Sequence, residues 1–325
     1  MSIGDAQAFW VVAPGRGEIK SQPLRTPLPG ELLIRTLASA ISRGSESLVF
    51  RGEVPESEWL RMRCPFQEGD FPGPVKYGYS TIGIIEDGPA EYLGHRVFCL
   101  HPHQDRFVVA QDAVIEVPED VPDRRATLAA NMETAINGIW DAAPGPGDRI
   151  AVIGAGVVGC LVGALAARFP EAEVELIDID RSREGVAMAL GCGFATPQQA
   201  RGEADSVFHA SATADGLQTA IAISALEATI IEMSWYGTST VPLALGGAFH
   251  SRRLTLRASQ VGSVPAGRQR RWSARRRLAL ALSLLRDPVF EVLLTGESPF
   301  SDLPELMPRF AGSPAGTLCH TIRYD

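Results

Sequence analysis

The chain has 325 residues, 45% of them hydrophobic and 21% charged, with 30 Lys and Arg against 38 Asp and Glu and a formal net charge of -8. That length favours two domains, the composition excludes a disordered or fibrous class, and the acidic surplus argues against a general nucleic-acid binder, which needs cations to neutralise phosphates. No stretch approaches the roughly 20 apolar residues of a membrane helix, and the segment MSIGDAQAFWVVAPGRGEIK has no basic stretch followed by an apolar one. A cytoplasmic protein without membrane partners is expected. Cys64, Cys99, Cys160, Cys192 and Cys319 are scattered with no C-x-x-C pair, which reads as reduced thiols.

From Ala8 to about Val117 the sequence is a series of short alternating or apolar runs (FWVVAP, GELLIRTLASAI, YSTIGIIEDG, HRVFCL, FVVAQDAVIEVP) broken by Gly, Pro and Asp, the pattern of a mostly β region. PEDVPDRRATLAANMETAINGIWDAA then turns helical, with Pro122 and Asp123 as start signals. GDRIAVIGAGVVGCLVGALAARFPEAEVELIDIDRSREGVAMALGCGFA reads as strand, glycine turn, apolar helix, strand and helix, a βαβ unit. Strand-like DSVFHAS, ATIIEMSWYG and LTLRASQVG alternate with helical DGLQTAIAISAL and RRLALALSLLRD, so a doubly wound parallel sheet is expected. The expected fold is α/β: a β-rich domain over 1–119, completed by 288–325, and a parallel-sheet domain over 120–287. In the run RQRRWSARRR, Arg268 to Arg277, six arginines read either as a solvated loop leading into an amphipathic helix or as an anion site.

Gly154-Ala155-Gly156-Val157-Val158-Gly159 lies directly after the strand RIAVI and opens the helix CLVGALAARF, the context a dinucleotide-binding G-x-G-x-x-G requires. Gly154 permits the tight turn, Gly156 lets backbone approach a pyrophosphate, and Gly159 lets helix and strand pack closely. The free N–H groups of the helix N-terminus then face the phosphates. Asp178 ends the next strand nineteen residues after Gly159, where a carboxylate accepts both ribose hydroxyls and repels a 2′-phosphate. NAD is therefore the expected cofactor. Asp180 is a possible substitute, and Arg181 and Arg183 keep NADP open.

ELLIRTLASAISRGSE, FPGPVKYGYSTIGIIEDG, LGHRVF, FVVAQDAVIEVPEDV and the glycine motif together resemble the medium-chain dehydrogenase/reductase family over nearly the whole chain. The resemblance implies a GroES-like catalytic domain joined to a Rossmann domain, a cleft that holds the nicotinamide, a small-molecule substrate, and a homodimer or homotetramer. Met233 to Gly237 and Ala258 to Gly262, carrying Ser234 and Gln260, match the loops that pass beside the nicotinamide in that family. Trp235 or Tyr236 would then wall the substrate pocket, and His250 is an acid/base candidate or a structural residue.

Where zinc members carry C-G-T-D this chain has Arg43-Gly44-Ser45-Glu46, and where they carry G-H-E it has Gly78-Tyr79-Ser80. The third ligand position falls near Ala130 or Asn131, and the lobe holding a structural zinc is missing. No zinc is expected. His101 and His103, with Cys64, Cys99 and Glu133 carrying suitable atoms, read either as part of a rebuilt metal site, of which the pair supplies only two of the three or four ligands needed, or as surface or substrate-facing histidines. By position, Arg43 is the candidate to stabilise a developing alkoxide and Tyr79 the proton donor, provided a nearby cation lowers its pKa. Ser45 stands at the proton-relay hydroxyl and Glu46 beside it; the alternative is an Arg43–Glu46 ion pair with Tyr79 as packing. An NAD(P)-dependent alcohol/ketone oxidoreductase is the expected function. A zinc-free quinone or enoyl C=C reductase and a non-catalytic NAD-binding protein are the alternatives.

Overall fold

A computed structural model describes residues 2–312 and 316–324. The chain divides into two compact units, Met1–Ala130 with Leu282–Arg286 and Leu294–Asp325, and Asn131–Ala281 with Asp287–Leu293. In chain order the elements begin with β1 (Ser2–Ala13), β2 (Arg16–Arg25), β3 (Glu31–Ile41), α1 (Arg43–Arg51), β4 (Glu68–Gly69) and β5 (Val75–Lys76). Next come β6 (Thr81–Asp87), β7 (Arg96–Cys99), β8 (Arg106–Ala110), β9 (Val114–Glu116), α2 (Asp123–Ala126) and α3 (Ala129–Ala142). The middle of the chain forms β10 (Arg149–Ile153), α4 (Val157–Ala166), β11 (Glu173–Ile177), α5 (Glu184–Ala189), β12 (Gly193–Ala195) and β13 (Ala204–His209). The rest is α6 (Ala214–Ile223), β14 (Ser224–Glu232), β15 (Thr255–Ala258), α7 (Ala274–Leu284), β16 (Leu294–Pro299), α8 (Leu303–Gly312) and β17 (Cys319–Arg323). Among the described residues no helix is long and apolar enough to cross a membrane.

The first unit is built on β3, whose GELLIRTLASAI run is buried along most of its length because it pairs on both edges. Its first half pairs with β8, its second half with β17, and its other edge with β6, all antiparallel. Leu32, Ile34, Ile85, Val97, Phe107 and Val109 fill the core on that sheet. This register sets Ser39 opposite Thr81 on one side and Ile322 on the other. The segment that precedes β6 is thereby drawn to the end of β3, and Tyr324, just after β17, to its middle, where its amide donates to the Leu37 carbonyl.

The second unit is a six-stranded, wholly parallel sheet in the order β12-β11-β10-β13-β14-β15. This doubly wound order reverses direction between β10 and β13, and ligands of such sheets sit outside the carboxyl ends of the strands at that point. Ile150, Ala151, Val152 and Ile153 are all buried, as strands covered on both faces must be. The mixed α/β architecture matches the expectation from the sequence. The arginine run departs from it: α7 begins at Ala274, so the last three arginines are helical, and Arg277 is 2% exposed.

Candidate functional site

In the second unit, Gly154 follows β10 at φ +99, and a Cβ there would lie 2.8 Å from the Ser211 amide nitrogen. A Cβ on Gly159 would lie 1.9 Å from the Gly154 carbonyl oxygen. Both positions therefore demand glycine, one for its backbone angle and the other for close packing of helix on turn. Gly156, Val157 and Val158 remain partly accessible at the start of α4, whose first-turn amides have no helical partners. Asp178 stands just past β11; one oxygen accepts the Ala155 amide at 2.7 Å and the other the Asp180 amide at 2.9 Å. Its carboxylate is thus anchored directly to the glycine turn.

Asp180 is committed to its own turn, accepting from the Ser182 hydroxyl at 2.6 Å and amide at 3.0 Å and facing Arg183 at 3.4 Å. These contacts, the Ser182 hydroxyl first, hold its carboxyl below the usual range. Arg181 reaches Gln199 at 3.2 Å.

Ser234 accepts the Ala212 amide at 3.0 Å, and the exposed Gln260 accepts the Gly262 amide at 2.7 Å. The loop bearing Gln260 is clamped by Arg277, which donates to the Val261 carbonyl at 2.5 Å, to Glu133 at 3.0 Å and to Asn137. This buried ion pair replaces both sequence readings of that residue. Arg276 and Arg268 instead lie over Trp272 and Trp140, at 3.9 and 5.4 Å from the ring centres. His250 is exposed and caps a short irregular helix.

A cluster centred on His209 and Glu232, which the motifs did not flag, occupies the ends of β13 and β14. His209, fully buried, faces Glu232 through Nδ1 at 2.8 Å and Ser211 through Nε2 at 2.7 Å. Glu232 also accepts the Ser234 amide at 2.8 Å and the Tyr236 hydroxyl at 3.0 Å. Burial pushes the Glu232 carboxyl up, but the bonds from His209 and Ser234 outweigh it and leave it below the usual range. Burial, followed by the Glu232 charge, pushes the Tyr236 phenol up. The signal was present in DSVFHAS and ATIIEM: a histidine and a carboxylate ending otherwise apolar strands must find partners.

In the first unit, Arg43 opens α1 and donates to the Thr317 carbonyl at 3.2 Å. Glu46 is 3% exposed and accepts the Ser42 amide at 2.7 Å and His103 Nε2 at 2.9 Å. The buried partner of its carboxylate is therefore His103. From His103 a chain of hydrogen bonds continues through Nδ1 to the Ser39 hydroxyl at 2.7 Å and on to the Tyr324 hydroxyl at 2.9 Å. Tyr79 donates to the Ser42 hydroxyl at 2.6 Å and also bonds Ser45. Gly78, at φ +146, brings the backbone of this segment against Pro102 and His103. Burial and then the Glu46 charge push the Tyr79 phenol up to about 12, against the hydrogen bonds from Ser42 and Ser45. The expected lowering by a cation gives way to this: the charge that dominates at Tyr79 is an anion.

The residues at the zinc-ligand positions, Arg43, Tyr79 and Ala130 or Asn131, do not fit the metal. His101 bonds the Pro102 carbonyl at 2.9 Å and stacks on Phe107 at 3.8 Å. Burial and Lys76 push it down to about 3. Both ring nitrogens of His103 are engaged, and burial pushes the thiols of Cys64 and Cys99 up to about 12. His101 and His103 are buried, at 4% and 2% exposure, which corrects their reading as surface side chains. Among the described residues no three His, Cys, Asp or Glu side chains gather as a metal-binding group.

No family model matches the chain. D-guloside 3-dehydrogenase of Escherichia coli K12 is 25% identical, with 89% of each chain covered. L-idonate 5-dehydrogenase of Escherichia coli K-12 superposes with a TM-score of 0.82 at 16% identity, covering 99% of both chains. 2R,3R-butanediol dehydrogenase of Bacillus subtilis does so with a TM-score of 0.78 at 15% identity, covering 98% of this chain and all of that one. With a β-rich unit, a doubly wound sheet carrying the glycine turn, and these likenesses over nearly its full length, the chain shares the fold of these alcohol and polyol dehydrogenases.

Proposed function

We propose that the protein is a zinc-independent, NAD-dependent oxidoreductase that interconverts a secondary alcohol and a ketone on a polyhydroxylated small molecule. The observation that carries this reading is the Gly154–Gly159 turn with Asp178 anchored to it, a pairing built for a dinucleotide with a free adenosine 2′-hydroxyl. Gly156, Val157 and Val158 would meet the pyrophosphate, Asp178 the adenosine ribose, and the Ser234 and Gln260 loops the nicotinamide. The bound nicotinamide supplies the hydride acceptor or donor. The polyol reading draws on the relatives, whose names place oxidation on a sugar derivative, a sugar acid and a diol.

Oxidising a secondary alcohol releases one proton from its hydroxyl. Tyr79, kept as a neutral phenol beside the buried Glu46, is suited to donate a hydrogen bond to the substrate oxygen and to give up its proton when a ketone is reduced. Ser42 and Ser45 are hydrogen-bonded to that phenol and can return a proton to it. Arg43 is the permanent cation assigned to the developing alkoxide. His103 holds Glu46 in place and is an addition to the residues expected from sequence.

The test is formation of reduced cofactor by chelator-treated protein given NAD and a panel of sugar acids, glycosides and diols. Turnover that survives chelation and disappears in Tyr79→Phe supports the reading. Activity restored only by added zinc contradicts it.

A further inference from the structure

We propose that Ser211, oriented by the buried Glu232–His209 pair, is the acceptor for a ribose hydroxyl on the nicotinamide half of the dinucleotide. The inference rests on the dinucleotide reading above and deepens it. The reversal of strand order lies between β10 and β13, and the loops leaving those strands diverge to either side of it. On one side stands the glycine turn after β10, with Asp178 at the end of β11. On the other stand Ser211 after β13 and Glu232 at the end of β14. The second half has no glycine motif of its own, so polar side chains must meet whatever lies over its strand ends. Ser211 is close enough for this: a Cβ on Gly154 would lie 2.9 Å from Ser211 Cα, and the Ala210 amide donates to the Ile153 carbonyl at 2.8 Å.

The hydrogen positions follow from the donor inventory. Glu232 only accepts, so the His209 nitrogen facing it, Nδ1, carries the proton. If the ring is neutral, Nε2 is then an acceptor and the Ser211 hydroxyl donates inward to it across 2.7 Å. The Thr213 hydroxyl lies 2.9 Å from the Ser211 oxygen and itself accepts the Gly216 amide at 3.1 Å, so Thr213 donates to Ser211. What Ser211 presents outward is a lone pair. That suits a sugar hydroxyl, which can donate, and suits a phosphate oxygen poorly. Ser211 is half-buried, whereas His209 is wholly buried. Burying a histidine and a carboxylate at two strand ends costs more than apolar residues would, and orienting the Ser211 hydroxyl is the return.

The experiment compares NADH, followed by fluorescence, with ADP, followed by calorimetry, on wild type, Ser211→Ala, Ser211→Thr and Glu232→Gln. ADP has the adenosine and the diphosphate but no second ribose. Ser211→Ala and Glu232→Gln are expected to weaken NADH about threefold to tenfold, the scale of one neutral hydrogen bond, and to leave ADP unchanged. Ser211→Thr, which keeps a hydroxyl, is expected to recover NADH binding. NADH binding by Ser211→Ala equal to wild type, or equal losses for NADH and ADP, would overturn the inference. A wild type that binds neither nucleotide overturns the dinucleotide reading itself.

Discussion

Replacing Arg277 with Met leaves the Glu133 carboxylate, 7% exposed, facing the end of an aliphatic chain instead of a guanidinium at 3.0 Å. The Val261 carbonyl and Asn137 lose a donor as well. Breaking a buried pair from one side costs about 3–5 kcal/mol. At about 2–4 °C per kcal/mol for a unit of this size, the melting transition of the second unit should fall by roughly 6–20 °C. The deficit should depend on pH in a direction the structure fixes. Burial already pushes the Glu133 carboxyl up despite the opposing Arg277 charge, and removing that charge pushes it further. An acid whose folded pKa lies above its unfolded value gains protons on folding, so its stabilising contribution is lost as pH rises through the folded value. Arg277→Met should therefore be less destabilised in mild acid than in mild alkali, and Glu133→Gln/Arg277→Met should recover most of the loss. Thermal unfolding followed by circular dichroism at several pH values reads all three. A drop equivalent to less than about 1 kcal/mol, below the range for a broken buried pair, or a deficit independent of pH, would refute the argument.

Gly159→Ala forces a Cβ to within 1.9 Å of the Gly154 carbonyl oxygen. NADH affinity should fall at least about tenfold, equivalent to about 1.4 kcal/mol, with the melting temperature of the first unit unmoved. Asp178→Ala removes the carboxylate that disfavours a 2′-phosphate and should narrow the preference for NADH over NADPH in paired titrations. Arg43→Ala should lower turnover about 100-fold at nearly constant NAD affinity, the scale of a lost oxyanion donor, and unchanged turnover would remove Arg43 from the mechanism. His103→Leu strands the Glu46 carboxylate and should cost stability on the scale of about 3–5 kcal/mol, read as an early transition in the first unit.

What was legible in the sequence was local or periodic. The glycine turn, Asp178 and the alternation of strands with helices all lie within short windows, so each element carries its own evidence. The partners of the candidate catalytic residues do not. Glu46 and His103 are 57 positions apart, and Ser39 and Tyr324 are 285 apart; the β3 register against β6 and β17 is what brings these groups together. Likewise, nothing in RQRRWSARRR distinguishes Arg277 from its neighbours until the phase of α7 and the position of Glu133 on α3 are known. Tyr79 was misread electrostatically for the same reason. The family resemblance set the arginine of the R-G-S-E motif beside it, whereas in space the charge that dominates is the glutamate of that motif.

The central claim, a dinucleotide site selective for NAD, is tested most directly by titrating NADH and NADPH into the purified protein and following nicotinamide fluorescence. Saturable NADH binding, tighter than NADPH by about tenfold or more, is the predicted result, that ratio corresponding to about 1.4 kcal/mol of discrimination by Asp178. Absence of binding, or a preference for NADPH, would contradict the account, and the second outcome would favour reduction of an activated C=C bond instead.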